Sequence, residues 1–167
     1  MNTHRFIIPV FIMCSLFFGA AHAQPIHEAA KAGNVAQTLK FIDTGIDVNV
    51  KDGQGYTPLH WAAAAGKPKL ITALIKREAD VNARSNTEET PLHIAAFQGH
   101  TQTITLLIEH GAEINAQEQN RDSALSRAAL AGKLETVKKL VEKGAVVNSE
   151  GYESDTAVSR ALEGKAS

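Results

Sequence analysis

Cysteine is nearly missing from this chain: Cys14 is the only one in 167 residues. An intrachain disulfide is therefore excluded, and the fold must be held by packing. Aromatic residues make up only 5% while alanine is abundant, a composition that suits closely packed helices better than an all-β sandwich. Charge of neither sign dominates, since 17 Lys and Arg face 18 Asp and Glu for a formal net charge of −1. Nucleic acid and anionic membrane are not expected as partners, because either needs a basic footprint. Catalytic signatures are missing too: there is no Gly-x-Ser-x-Gly, no His-Glu-x-x-His and no phosphate-cradling Gly-x-x-x-x-Gly-Lys-Ser/Thr.

One segment departs from the rest. Residues 1–23 carry one firm positive charge, Arg5, then an apolar run from Phe6 to about Ala20, and no acidic residue. Ala21-His22-Ala23 supplies the small-x-small triplet of a signal-peptidase site. The run is short for a bilayer of about 30 Å and is interrupted by Pro9. A cleaved secretory signal over 1–23 is expected, placing the mature chain from Gln24 in the periplasm or outside the cell. Cleavage would also remove Cys14, leaving no thiol nucleophile.

Internal repetition is the strongest positive signal. Gly33, Gly66, Gly99 and Gly132 are spaced 33 residues apart, and so are Asn49, Asn82, Asn115 and Asn148. The units align as QPIHEAAKAGN, TPLHWAAAAGK, TPLHIAAFQGH and SALSRAALAGK, with a shortened TAVSRALEGK at the end. Each of the four full segments leads into a second amphipathic stretch and then GIDVN, EADVN, GAEIN or GAVVN.

This pattern resembles the ankyrin repeat, whose consensus combines Thr-Pro-Leu-His-x-Ala-Ala, Gly-His and Gly-Ala-Asp-Val-Asn. The resemblance spans Pro25 to Lys165 and implies an all-α solenoid of helix-turn-helix units joined by β-hairpin-like loops. Units are expected at about 24–55, 56–88, 89–121 and 122–154, with a partial C-terminal cap over 155–167.

Local chemistry agrees with that architecture. Thr57 and Thr90 are suited to N-caps, and Pro58 and Pro91 to first helical turns, where a missing N–H costs nothing. Ala62-Ala63 and Ala95-Ala96 allow close helix approach; Gly66 and Gly99 can end a helix in the left-handed conformation. Leu70, Leu74 and Ile75, like Ile104, Leu107 and Ile108, predict the buried stripe of the second helix. A lone helix pair cannot cover this stripe, so stability requires stacked neighbours.

Several groups invite a chemical reading. His27, His60 and His93 occupy one position per unit, so helix packing spaces them about 8–10 Å apart. Zinc bonds of about 2.0–2.1 Å are out of reach at that spacing. The resemblance instead implies that these rings bond the adjacent threonine and neighbouring turns, and His100 belongs to the scaffold in the same way. His110 suits a helix C-terminus. Asp47, Asp80 and Glu113 lack the dense oxygen spacing of a calcium loop, while Asn49, Asn82, Asn115 and Asn148 are expected to bond their own turn backbone. Glu88-Glu89 reads as a solvated loop, and Glu88 and Arg121 stand where Gly55 would supply a positive φ, so those hairpins are expected to differ in shape or to tolerate an uncommon backbone.

Function is therefore expected on the concave face that the resemblance implies, built from hairpin tips and first helices. The partner-binding candidates are Tyr56, Asn86, Thr87, Glu89, Phe97, Gln98, Gln119, Asn120, Asp122, Leu130 and Tyr152. Tyr56, Phe97, Leu130 and Tyr152 are apolar or aromatic where the fold does not need to bury them, whereas Trp61 is expected to be partly buried between repeats. These features predict a monomeric protein-binding module or scaffold, with no catalytic residues, cofactor or metal and no membrane association after signal cleavage. Two other roles fit the same surface: a secreted effector acting on a host protein, or a regulator of a periplasmic enzyme.

Overall fold

Proline and threonine set the rhythm of the chain. A computed structural model describes residues 25–147. Among them, eight helices run in order: α1 Pro25–Ala32, α2 Val35–Asp43, α3 Pro58–Ala64, α4 Pro68–Ile75, α5 Pro91–Gln98, α6 Thr101–Glu109, α7 Ala124–Leu130 and α8 Leu134–Glu142. The signal segment, the terminal cap, Asn148 and Tyr152 lie outside the described residues.

The helices stack in two layers, α1-α3-α5-α7 and α2-α4-α6-α8, each first helix also packing on its own second helix. Alanine makes the close approach possible: Ala62, Ala63, Ala95, Ala96 and Ala128 have no accessible surface. Leu59, Leu70, Leu74, Leu92, Leu107, Leu125 and Leu140 fill the space between layers, each contributing roughly 1.5–3 kcal/mol by leaving water. The expected second-helix stripe is buried at Leu70, Leu74, Ile104 and Leu107 and is wider than expected on one side. Ile71 and Thr103 are buried, while Ile75 and Ile108 are only half-buried, because α4 and α6 are pressed both by their own first helix and by second-layer neighbours. No helix among the described residues is long and apolar enough to cross a membrane.

Between units the chain forms narrow hairpins. Asp52 N–H donates to the Tyr56 carbonyl, Ser85 to Glu89 and Glu118 to Asp122, at 3.0, 3.0 and 3.1 Å. Successive hairpins join through Asn86 N–H to Gln54 O at 3.0 Å and Gln119 N–H to Thr87 O at 3.1 Å. Of the two expected alternatives, a different shape or an uncommon backbone, the second holds: φ is positive at all three equivalent positions, 81° at Gly55, 63° at Glu88 and 64° at Arg121. Tertiary stacking thus holds two non-glycine residues in a region that costs L-residues roughly 1–2 kcal/mol.

Asparagine also works differently from the expectation. Asn49 Oδ1 accepts from Asp80 N at 2.8 Å, Asn82 Oδ1 from Glu113 N at 2.9 Å and Asn115 Oδ1 from Val146 N at 2.9 Å. These side chains join one unit to the next. The local turn is closed instead by aspartate, as Asp47 and Asp80 accept from the N–H groups of Asn49 and Asn82, both at 2.9 Å.

Candidate functional site

The histidine ladder is buried scaffold. Thr57 N–H donates to His60 Nδ1 at 3.1 Å, which leaves Nε2 to carry the proton and donate to the Glu89 carbonyl of the next unit at 3.0 Å. His93 repeats this with Thr90 on one side and the Ala116 and Asp122 carbonyls on the other. Burial favours the neutral ring, pushing His60 down to about 4 and His93 in the same direction. His27 Nε2 meets the Val50 carbonyl at 3.0 Å, and His100 Nε2 meets Ala64 O at 3.1 Å. His110 caps the exposed C-terminus of α6. Among the described residues, no three His, Cys, Asp or Glu side chains gather where they could hold a metal ion.

A pocket of about 190 Å³ opens on the face formed by hairpins and first helices, lined by Tyr56, His60, Trp61, Ala64, Glu89, Ile94, Phe97, Gln98 and Arg127. It spans three units. Tyr56 stands edge-on to Trp61 with ring centroids 5.7 Å apart, and Arg127 lies over the Phe97 ring at 5.0 Å. The Arg127 contact places a cation against a π face, a favourable arrangement of about 0.5–1 kcal/mol at a partly exposed site.

Glu89 ties the pocket together. Its carboxylate accepts from Tyr56 Oη at 2.7 Å, Thr87 Oγ1 at 3.2 Å and Arg127 at 2.6 Å. The expected solvated loop is therefore wrong for this residue: only 9% of Glu89 is exposed, because three donors from separate segments converge on it. Tyr56 responds to this setting. Burial, and then the hydrogen bond to Glu89, raises its phenol to about 12.

The other sequence-predicted residues divide by location. Tyr56, Glu89, Phe97 and Gln98 meet at the pocket. Asn86, Thr87, Gln119 and Asn120 sit on exposed hairpin tips, with the Asn86 amide donating to Gly53 O at 3.1 Å. Asp122, expected at an exposed tip, is 8% exposed, since its hairpin position lies under the His93 contact. Leu130 is 47% exposed but lies outside the pocket, while Phe97 at 42% forms part of its wall.

Sequence reasoning missed Arg127, Ile94 and the pocket role of Trp61. A signal existed for one of them: Arg127 follows Ser126 as Trp61 follows His60, so a charge occupies a slot held by apolar groups in two earlier units. Trp61 is half-buried, with its indole N–H donating to Asp52 at 2.9 Å.

Stacked helix-turn-helix units of one period, linked by hairpins and sharing an open first-helix face, define a repeat solenoid of the kind that serves as a binding scaffold. The family model described as ankyrin repeats, three copies, matches residues 26–118 and 79–151, and the chain belongs to the ankyrin-repeat family. No curated protein matches the chain. Ankyrin repeats generally mediate protein–protein interaction and are generally not catalytic.

Proposed function

We propose that this protein is an exported, monomeric binding module that recognises a protein partner on the concave face presented by its hairpins and first helices. The observation that carries the reading is the Phe97 ring, 42% exposed beside a pocket walled by Tyr56 and Trp61. Large apolar groups left open around a rigid concavity are the usual anchors of protein interfaces. The scaffold is already ordered by inter-unit hydrogen bonds, so docking involves little additional loss of conformational freedom. Export is supported by the charge, apolar run and Ala21-His22-Ala23 triplet of the first 23 residues.

Two measurements test this reading. Intact mass of the protein recovered from the exporting compartment should correspond to a chain beginning at Gln24; retention of the full leader would refute cleavage. Affinity capture from that compartment, repeated with Phe97→Ala, should lose the specific partner by roughly 30-fold or more in affinity, the scale of an interface hot spot. Circular dichroism must show unchanged helix. A partner bound equally by the folded variant would place recognition elsewhere.

A further inference from the structure

Glu89 in the pocket and Asp52 beside it are each engaged by three of the protein's own donors, while Arg127 is engaged only in part and Lys31 forms no ion pair among the described residues. Glu89 accepts from Tyr56, Thr87 and Arg127. Asp52 accepts from the Gln54 and Tyr56 N–H groups and from the Trp61 indole, each at 2.9 Å. Arg127, in contrast, uses one terminal nitrogen on Glu89, and its buried Nε has no hydrogen-bond partner among the described residues. Lys31 rests over the Trp61 ring at 5.1 Å and forms no ion pair among the described residues. Five guanidinium donors exceed what one carboxylate can absorb, so the remaining capacity of the site is for an acceptor, preferably an anion.

Resting on the concave-face reading above, we infer that the pocket binds an internal segment of the partner in which a large apolar side chain stands next to an acidic one. The apolar group fills the space between Trp61 and Phe97, and the carboxylate meets Arg127, with Lys31 adding attraction from the other side. An internal segment fits better than a chain end, because the face continues uncovered towards exposed Leu130 beyond the pocket.

Trp61 is the only tryptophan in the chain, so its fluorescence reports occupancy of this pocket alone. The full-length protein is titrated with three end-blocked dipeptides, N-acetyl-Phe-Glu-amide, N-acetyl-Phe-Gln-amide and N-acetyl-Phe-Lys-amide, in the millimolar range. The Glu peptide is expected to bind about tenfold more tightly than the Gln peptide, the scale of one charge-assisted hydrogen bond, and the Lys peptide most weakly. Arg127→Lys retains a cation for Glu89 but removes the surplus guanidinium donors, and should erase most of the Glu-over-Gln preference; Lys31→Gln should reduce it further. Free N-acetyl-Phe, which carries its carboxylate at the chain end, should bind no better than the Gln peptide.

Equal affinity for the three blocked peptides, or a preference unchanged in Arg127→Lys, overturns the acidic-segment inference. If binding of all three is then lost in Phe97→Ala, concave-face docking stands without it. No change in Trp61 fluorescence with any peptide overturns the pocket as the docking point, whereas partner capture that depends on Phe97 would still support the face.

Discussion

Acid should loosen the stack in a pH range where carboxylates are still ionised. His60 is 1% exposed, with both ring nitrogens bonded to backbone and the Lys51, Asp52 and Glu89 charges around it. A proton on Nδ1 would have to displace the bond from Thr57 N–H. In the unfolded chain the ring titrates near its ordinary value of about 6.5, and in the fold it is held down at about 4. Below about 6.5 the unfolded chain therefore gains protons that the folded chain refuses, and stability falls with falling pH. Above that value both states are neutral and the term vanishes. Between pH 7 and pH 5 the loss from His60 alone is about 2 kcal/mol, and His93 acts in the same direction. For a chain of this size that is a drop of about 4–8 °C in melting temperature. Urea melts followed by circular dichroism across this range measure it. His60→Ser borrows the solution of the fourth unit, where the Ser126 hydroxyl hydrogen-bonds the Ser123 hydroxyl at 3.2 Å, and should flatten the slope while lowering stability at pH 7. A wild-type protein equally stable at pH 7 and pH 5, or a slope unaltered in His60→Ser, would refute the argument.

Other perturbations probe the hairpins and the pocket. Glu88→Gly should stabilise the protein by up to about 1 kcal/mol, since φ of 63° suits glycine and the exposed Arg84 pair it gives up is worth little. Urea midpoints check this, and a destabilised variant would show that the side chain matters more than the backbone. Gly55→Ala should do the reverse, by about 2 kcal/mol, because its Cβ would lie 2.5 Å from Asn86 Oδ1 and 2.6 Å from Asn86 N at a φ of 81°. In a Tyr152→Phe background, needed because the chain has two tyrosines, Glu89→Gln should bring the Tyr56 titration down from about 12. It should still lie above the ordinary value of about 10, because burial is the larger cause. Ultraviolet absorbance of tyrosinate reads the shift directly.

What the sequence determined by itself is the unit. Period, caps, alanine pairs and buried leucines are local or recur at fixed spacing, and a linear string displays both kinds of pattern; the ankyrin-repeat architecture was legible on that ground. His60 and His93 were legible as scaffold for the same reason, since one group per unit cannot converge. Tertiary structure alone decided what happens between units. Asn49, Asn82 and Asn115 bond across to the following repeat and not to their own turn, and Glu88 and Arg121 hold a glycine-like φ because neighbouring hairpins bond to one another. Glu89 belongs to this class as well. Its partners Tyr56 and Arg127 lie 33 and 38 residues away, and only stacking makes such distant positions neighbours, turning an apparent surface charge into the buried centre of a pocket.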